Sequence, residues 1–245
     1  MSLCKVAITS RDIPSAWFEV LQAVQLYGRV YTIDRGSYEG QKRKQLDHLT
    51  LHITHPNTKP MLPEIPSHLS IPPPATQQQF EDYLSYLMTS ELKPKETYTY
   101  GNRMFGKYIS YDNPDFYSFI PIDYLIDMLI LNPYTNQATL SISTPRDIEM
   151  SDPPCMRSVS FRTIEDVLHM VVHFRSWDLF GGLPLNLAGL TTLFEYVSES
   201  TEIPMGELIA TSEGGHVYDY VFEYVNQIVG TKDGLVGLLK YCKDI

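Results

Sequence analysis

The chain has 245 residues with a net charge of −10 at pH 7, and 43% of its residues are hydrophobic. That length supports one domain with a sizeable core or two small ones, and the acidic charge argues against a nucleic-acid partner. No apolar run reaches the roughly 18 residues that span a bilayer, and the N-terminus lacks a secretion signal, so we expect a cytoplasmic protein with no membrane partner.

The N-terminal part predicts a helix followed by two strands. Residues 12–27 carry apolar side chains at helical spacing, and Asp12-Ile13-Pro14 is a plausible helix start. Residues 28–54 predict a strand, a turn and a second strand. The turn covers residues 34–45, which contain glycine and several basic side chains.

A proline-rich loop over residues 56–74 separates these strands from the next helix. Residues 76–92 predict a helix whose apolar face carries Phe80, Leu84, Leu87 and Met88. Residues 98–110 are aromatic and punctuated by glycine, and residues 122–133 predict a helix that ends at Asn132-Pro133.

The C-terminal part alternates strands with helices. We expect strands over 137–144, 157–164, 166–176 and 206–212, a turn over 213–220, and helices over 183–199, 220–229 and 234–243. Because this order has no regular βαβ rhythm, we predict one α+β domain over residues 1–245, with a mixed sheet covered by helices.

Cys155 follows two prolines and precedes a strand-like run. The other cysteines are Cys4 and Cys242, and the odd count without a Cys-x-x-Cys pair argues against a disulfide framework or a cysteine zinc site. The three histidines of segment 48–55 lack carboxylate neighbours in the sequence, so we expect no metal.

Three stretches after Cys155 place polar residues where a plain core would avoid them. They contribute Arg175, Ser176 and Asp178, then Asn186, then His216 and Tyr218. The intervals are 20 residues from Cys155 to Arg175, 8 from Asp178 to Asn186 and 30 from Asn186 to His216.

This series of Pro-Pro-Cys, Arg-Ser-x-Asp, Gly-Leu-Pro-x-Asn and His-x-Tyr resembles the thymidylate synthase family at the same intervals. Upstream, "DRGSY" is similar to the family's phosphate loop and "YTYGNR" to its Tyr-Gly segment. The resemblance is greatest to the short archaeal and phage-type branch, which includes synthases and pyrimidine nucleotide hydroxymethylases. It implies a thymidylate synthase-like fold and a homodimer formed through a sheet face.

The resemblance also implies a reaction. The Cys155 thiolate would add to C6 of a pyrimidine nucleoside monophosphate, and C5 would then take a carbon from the folate co-substrate 5,10-methylenetetrahydrofolate. Such a thiol needs a lowered pKa, which the Arg175 guanidinium is expected to supply.

The family's phosphate ligands correspond to three residues here: Arg35, Arg175 and Ser176. The chain departs from the family at Asn136-Gln137, where an arginine pair is usual. We expect Arg43 or Arg103 to compensate.

The other implied ligands contact the base, the sugar and the folate. Asn186 corresponds to the residue that reads the base edge; its amide favours uracil, although turning it over would serve cytosine. His216 and Tyr218 correspond to the pair that binds the sugar 3′-hydroxyl. Asp178 and Gly182 correspond to the folate-binding aspartate and glycine.

Proton transfers at the base require a carboxylate that acts through water, which the family takes from the helix predicted here at 76–92. We assign this catalytic role to Glu81, with Asp82 as the alternative because the helix register is open by one or two residues. Tyr100 corresponds to the tyrosine that helps to remove the C5 proton.

Two outcomes share these first steps. Reduction of the C5 methylene would convert dUMP to dTMP, the thymidylate synthase reaction, whereas addition of water would hydroxymethylate dUMP, CMP or dCMP. The family's shielding tryptophans are missing from residues 90–101, because the only tryptophans are Trp17 and Trp177. Asn186 favours the synthase, and a binding protein without activity is the third hypothesis.

Overall fold

The computed structural model describes residues 2–34, 38–110 and 117–236. Its helices are α1 (Ile13–Tyr27), α2 (Gln77–Leu87), α3 (Tyr100–Phe105), α4 (Pro121–Leu131), α5 (Gly182–Thr201) and α6 (Phe222–Val229). Its strands are β1 (Lys5–Ser10), β2 (Arg29–Thr32), β3 (Lys42–Gln45), β4 (His48–Ile53), β5 (Tyr108–Ile109), β6 (Ser118–Phe119), β7 (Thr139–Ser141), β8 (Met156–Ile164), β9 (Val167–Phe174), β10 (Trp177–Asp178), β11 (Met205–Ser212) and β12 (Gly215–Tyr218).

Five helices, α1, α2, α4, α5 and α6, begin within two residues of the predicted starts, whereas α3 was not predicted and most of the predicted helix 234–243 lies outside the described residues. The Asp12 side chain accepts a hydrogen bond from the Ser15 N–H at the start of α1. Thr76 and Gln79 form a reciprocal capping box at the start of α2. These bonds satisfy N–H groups that the first turn of a helix leaves without partners.

The larger sheet has six strands in the order β1-β4-β11-β9-β8-β7. β1 pairs in parallel with β4, and β11 with β9, while the remaining neighbours are antiparallel. The sheet is therefore mixed, which confirms the predicted α+β class. β1 was not expected from the sequence.

The smaller sheet has four strands in the order β10-β12-β3-β2. Two of them correct the sequence analysis, because β3 lies inside the predicted turn 34–45 and β12 inside the predicted turn 213–220. The residues of β3 are all polar, so they show no hydrophobic alternation; pairing with β2 and β12 makes this segment a strand.

One face of the larger sheet packs against the core. In β4, β9 and β11 buried residues alternate with partly exposed ones, so each strand turns one row of side chains inward. α5 lies in this core with Leu187, Leu190, Leu193 and Phe194 fully buried. In the described part of the chain, no helix is both long and apolar enough to cross a membrane.

Candidate active site

Cys155 lies at the end of a proline-containing turn, one residue before β8. Its carbonyl oxygen accepts a hydrogen bond of 2.8 Å from the Arg175 N–H. The next N–H, of Met156, donates to the Tyr100 hydroxyl at 3.2 Å. The thiol is thus held between the end of β9 and the first turn of α3, and it is partly buried.

The Arg175 guanidinium holds the turn that carries Cys155. Its Nε donates to the Pro154 carbonyl at 3.1 Å, and its Nη2 donates to the Pro153 carbonyl and lies 3.4 Å from Oδ1 of Asp152. These bonds fix the prolines that precede the cysteine. Arg175 therefore positions the thiol as well as placing positive charge beside it.

The net effect on the thiol is opposite to the sequence expectation. Burial is the largest influence and raises the pKa of Cys155 above its ordinary value. The positive charge of Arg175 is the strongest opposing influence, with a smaller one from Arg157, while Asp152 raises the pKa further. The expected contribution of Arg175 is present, but desolvation outweighs it.

The thiol opens into a cavity of about 880 Å³, a size that suits small-molecule sites. Six of the predicted site residues line it: Cys155, Arg175, Ser176, Asp178, His216 and Tyr218. Arg35 lies outside the described residues. A separate cavity of about 820 Å³ lies beside the start of α2 and shares none of these residues.

Arginines that the main phosphate prediction did not include also line this cavity. Arg43, one of the two proposed substitutes, has a buried Nε with no hydrogen-bond partner among the described residues. Arg157 lines the same cavity from β8, and the sequence analysis missed it. The other substitute, Arg103, is paired with Asp147 at 2.9 Å. Of the two substitutes, the structure thus brings Arg43 to the cavity.

His216 presents a hydrogen-bond acceptor to the cavity. Its Nδ1 lies 2.7 Å from the Gly214 carbonyl oxygen, so Nδ1 carries the proton and donates it. Burial lowers the pKa of His216, which favours the neutral ring. Nε2 is buried without a partner among the described residues. The adjacent Tyr218 ring meets His216 edge-on, with centroids 4.7 Å apart.

Asp178 and Gly182 shape the turn into α5. The Asp178 carboxylate accepts N–H bonds of 3.0 Å from Phe180 and from Gly182. Burial nevertheless raises the pKa of Asp178, against these bonds. A Cβ at Gly182 would lie 3.1 Å from the Asp178 Cβ and 3.7 Å from Oδ1 of Asn186. Glycine keeps this part of the site open.

Asn186 lies one turn into α5, where Trp177 fixes its amide. The Trp177 Nε1–H donates to Oδ1 of Asn186 at 3.0 Å. Tyr83 of α2 is the other neighbour: its hydroxyl is buried without a geometric hydrogen-bond partner in the described chain. Burial raises the pKa of Tyr83, and Asn186 opposes the rise, which places the two groups side by side.

The structure does not bring Glu81 to the cavity. Its carboxylate accepts a bond from the Gln77 amide on the exposed face of α2, and Asp82 accepts one from Gln78. Both acids are exposed. The α2 residue that faces Asn186 is Tyr83, which the sequence analysis missed.

Tyrosines surround the thiol on the side of α2 and α3. Tyr86 meets Tyr100 edge-on, with ring centroids 5.7 Å apart. Burial raises the pKa of Tyr86 to about 12 and also raises the pKa values of Tyr98 and Tyr100, with Cys155 contributing in each case. These three phenols are therefore neutral at physiological pH and lie close to Cys155.

The metal-ligating side chains of the described residues do not form a metal centre. Within residues 2–34, 38–110 and 117–236, no group of three or more His, Cys, Asp and Glu side chains is placed to hold an ion.

Asn136 and Gln137, which stand where an arginine pair is usual, are both exposed.

Comparison with known proteins gives consistent matches. The model of the family described as thymidylate synthase matches residues 92–235. Proteins named "Putative thymidylate synthase" from Methanosarcina mazei and Methanosarcina barkeri are each 30% identical over 223 residues, covering 91% of this chain and 94% of theirs. The thymidylate synthase of Listeria monocytogenes is 31% identical over 104 residues, 42% of this chain and 33% of that protein.

Proposed function

The chain belongs to the thymidylate synthase family, and we propose that it converts dUMP to dTMP through a covalent adduct with Cys155. As a family member it is an enzyme that transfers one-carbon groups in nucleotide metabolism, with 5,10-methylenetetrahydrofolate as co-substrate. The observation that carries the proposal is the Cys155 thiol in one cavity with Arg175, Asp178 and His216.

Cys155 reacts as the thiolate, and because burial raises the pKa of the free thiol, its proton must first be lost to solvent. Its sulfur forms a bond to C6 of the uracil, and the C5–C6 π electrons move onto C5 and O4 as an enolate. C5 then bonds to the methylene carbon of the co-substrate. After C5 loses its proton and the tetrahydrofolate nitrogen leaves, a hydride from tetrahydrofolate completes the methyl group as the C6–sulfur bond breaks.

The nucleotide phosphate requires several fixed cationic donors. Arg175 and Ser176 line the cavity, and we assign them with Arg43 and Arg157 to the phosphate. The buried Nε of Arg43, which has no partner among the described residues, supports its part in this assignment, because a buried donor without a partner is costly unless a ligand satisfies it. Arg35 stays a predicted ligand.

We assign the sugar to the other side of the cavity, and the base to Asn186, which is not among the lining residues but is partly exposed next to the turn that carries Asp178. Asn186 donates to O4 of uracil and accepts from N3–H. The free Nε2 of His216 accepts a hydrogen bond from the sugar hydroxyl, with Tyr218 beside it. Asp178 and Gly182 are proposed to hold the pterin ring, because the glycine leaves room for a flat ring next to the carboxylate.

We propose that the Tyr100 hydroxyl helps to remove the C5 proton. This hydroxyl already accepts a hydrogen bond from the Met156 N–H. The carboxylate role predicted for Glu81 would require α2 to turn, because its side chain is exposed. Tyr83 is better placed to contribute a hydroxyl to the base.

Hydroxymethylation is the second candidate, and one feature favours it. Residues 90–101 carry no tryptophan to shield the C5 methylene. Neutral tyrosines lie near Cys155 instead, and a phenol can orient a water molecule, which an indole carbon face cannot. The nucleotide that accepts the hydroxymethyl group would be dUMP, dCMP or CMP.

Product mass distinguishes the two reactions. The protein is incubated with 5,10-methylenetetrahydrofolate and, separately, dUMP, dCMP or CMP. A methyl gain on dUMP with dihydrofolate absorbance supports the synthase. A hydroxymethyl gain supports the alternative, and no product from any nucleotide contradicts both. Cys155→Ser is the matched control, because it keeps the shape of the site and lacks the thiol.

Three broader properties are also proposals. The chain is predicted to fold as one domain over residues 1–245 and to act in the cytoplasm. It is predicted to form a homodimer through the face of the larger sheet opposite α5, where partly exposed side chains such as Thr50, Val171 and Ile209 lie. Sedimentation of the purified protein tests the dimer.

A further inference from the structure

Trp177 makes one polar contact that bears on base selection. The residue is 2% exposed, and its ring stacks on Phe174 at 4.4 Å with an angle of 5° between the planes. Its Nε1–H donates to Oδ1 of Asn186 at 3.0 Å. An indole nitrogen can only donate, so the atom that faces it must be the amide oxygen and not the amide nitrogen.

This contact fixes the orientation of the Asn186 amide. Turning the amide over would bring Nδ2 against the indole N–H, so that two donors would face each other beside the buried ring. With Oδ1 held by the indole, Nδ2 is the donor end of the amide; it lies beside the Tyr83 hydroxyl and, with two N–H groups, can also donate to a base. The amide therefore offers one fixed pattern of donor and acceptor.

Uracil and cytosine present opposite patterns to such an amide. Uracil has an acceptor at O4 and a donor at N3–H, whereas cytosine has a donor at N4 and an acceptor at N3. A base tethered through C6 to Cys155 cannot shift to compensate. Each base therefore requires the opposite orientation of the same amide.

We propose that Trp177 is a specificity-determining residue that commits Asn186 to uracil. Acting through Asn186, it is a positioning residue and touches no reacting atom. The inference rests on the proposed placement of the base, in which Nδ2 donates to O4 while the second lone pair of Oδ1 accepts from N3–H. A free asparagine could turn over to serve cytosine, and the indole N–H removes that freedom.

The test is equilibrium binding of dUMP and of dCMP to Trp177→Phe, measured by titration calorimetry. Phenylalanine keeps an aromatic ring against Phe174 and lacks the N–H. We expect the preference for dUMP over dCMP to fall by about tenfold, mainly through tighter dCMP binding. A thermal melt establishes that the variant is folded.

Trp17→Phe is the matched control. The Trp17 Nε1–H donates to the Phe180 carbonyl at 2.9 Å, and the residue is 3% exposed, so this variant also loses a buried indole hydrogen bond. In the described part of the chain, the hydrogen bond and the ring contact of Trp17 are both with Phe180 and not with Asn186. We expect its dUMP-to-dCMP preference to equal that of the unmodified protein.

The outcomes separate the inference from the proposed function. An unchanged preference in Trp177→Phe, or an equal fall in Trp17→Phe, overturns the role of Trp177. An unmodified protein that prefers dCMP also overturns it while leaving the cysteine chemistry intact. An unmodified protein that binds neither nucleotide overturns the proposed function itself.

A measurement on the unmodified protein covers the case in which Trp177→Phe does not fold. The two indole N–H signals are resolved by nuclear magnetic resonance, and their exchange with solvent is followed with dUMP bound. Slow exchange of the Trp177 indole proton in that complex supports the hydrogen bond that fixes the Asn186 amide. Exchange as fast as that of a free indole overturns it.

Discussion

Gly189→Ala tests how closely α5 packs against Tyr83. An added Cβ would lie 2.6 Å from Cε1 and 2.8 Å from Cδ1 of Tyr83, and 3.1 Å from Cδ2 of Leu87. Contacts this short force the ring to move, and over-packing of a core costs about 1–3 kcal/mol. Alanine in a helix interior gains about 0.8–1.0 kcal/mol over glycine. The steric cost exceeds the propensity gain, so we expect the free energy of unfolding to fall by roughly 0–2 kcal/mol.

The assay is a double-mutant cycle with Tyr83→Ala, followed by urea unfolding and thermal melts. A loss of up to about 2 kcal/mol lowers the Tm by up to about 8 °C in a chain of this size. Without the Tyr83 ring, Gly189→Ala should instead stabilise the protein, because the propensity gain remains. The reasoning is refuted if Gly189→Ala stabilises the unmodified protein, or if its effect is the same in both backgrounds.

Three further predictions concern the cavity. Cys155→Ser should reduce turnover roughly 10³-fold or more while dUMP still binds, and a variant that keeps full activity would exclude the thiolate mechanism. Arg43→Met should raise the KM for dUMP about ten- to hundredfold, since a charge-assisted hydrogen bond is lost, whereas the exposed neighbour Lys42→Met should leave it unchanged. Asp152 raises the pKa of Cys155 and the thiolate is the attacking form, so Asp152→Asn should move the acidic limb of kcat/KM to lower pH; a limb that stays or moves up contradicts this.

The sequence spacing of the site residues has a geometric origin. β8 and β9 form an antiparallel hairpin in which Met156 pairs with Phe174. Cys155 and Arg175, which are 20 residues apart, therefore emerge side by side at the open end of that hairpin. β10 and β12 pair in parallel with Asp178 opposite His216. Strand register thus accounts for the proximity of Cys155 to Arg175 and of Asp178 to His216.

The sequence analysis did not predict the short, polar strand β3, because pairing with other strands and not its own sequence makes it a strand. β3 is Lys-Arg-Lys-Gln, and its strand character comes from pairing with β2 and with β12, which is distant in the chain. Arg43 therefore appeared as part of a basic turn. Its pairing with Tyr218 in the antiparallel ladder is what brings it to the cavity.

The sequence analysis did not predict which face of α2 turns toward the core. Phe80, Tyr83, Leu84 and Leu87 follow the i, i+3, i+4, i+7 spacing of a single helix face, and Leu87 is fully buried. The sequence analysis left Tyr83 out of the apolar face, and it took Glu81 from the family resemblance with the helix register open by one or two residues. With the stripe complete, Glu81 projects about 100° away from Phe80 and toward solvent, where the structure has it. The α2 side chain beside Asn186 is consequently the neutral phenol of Tyr83 and not a carboxylate.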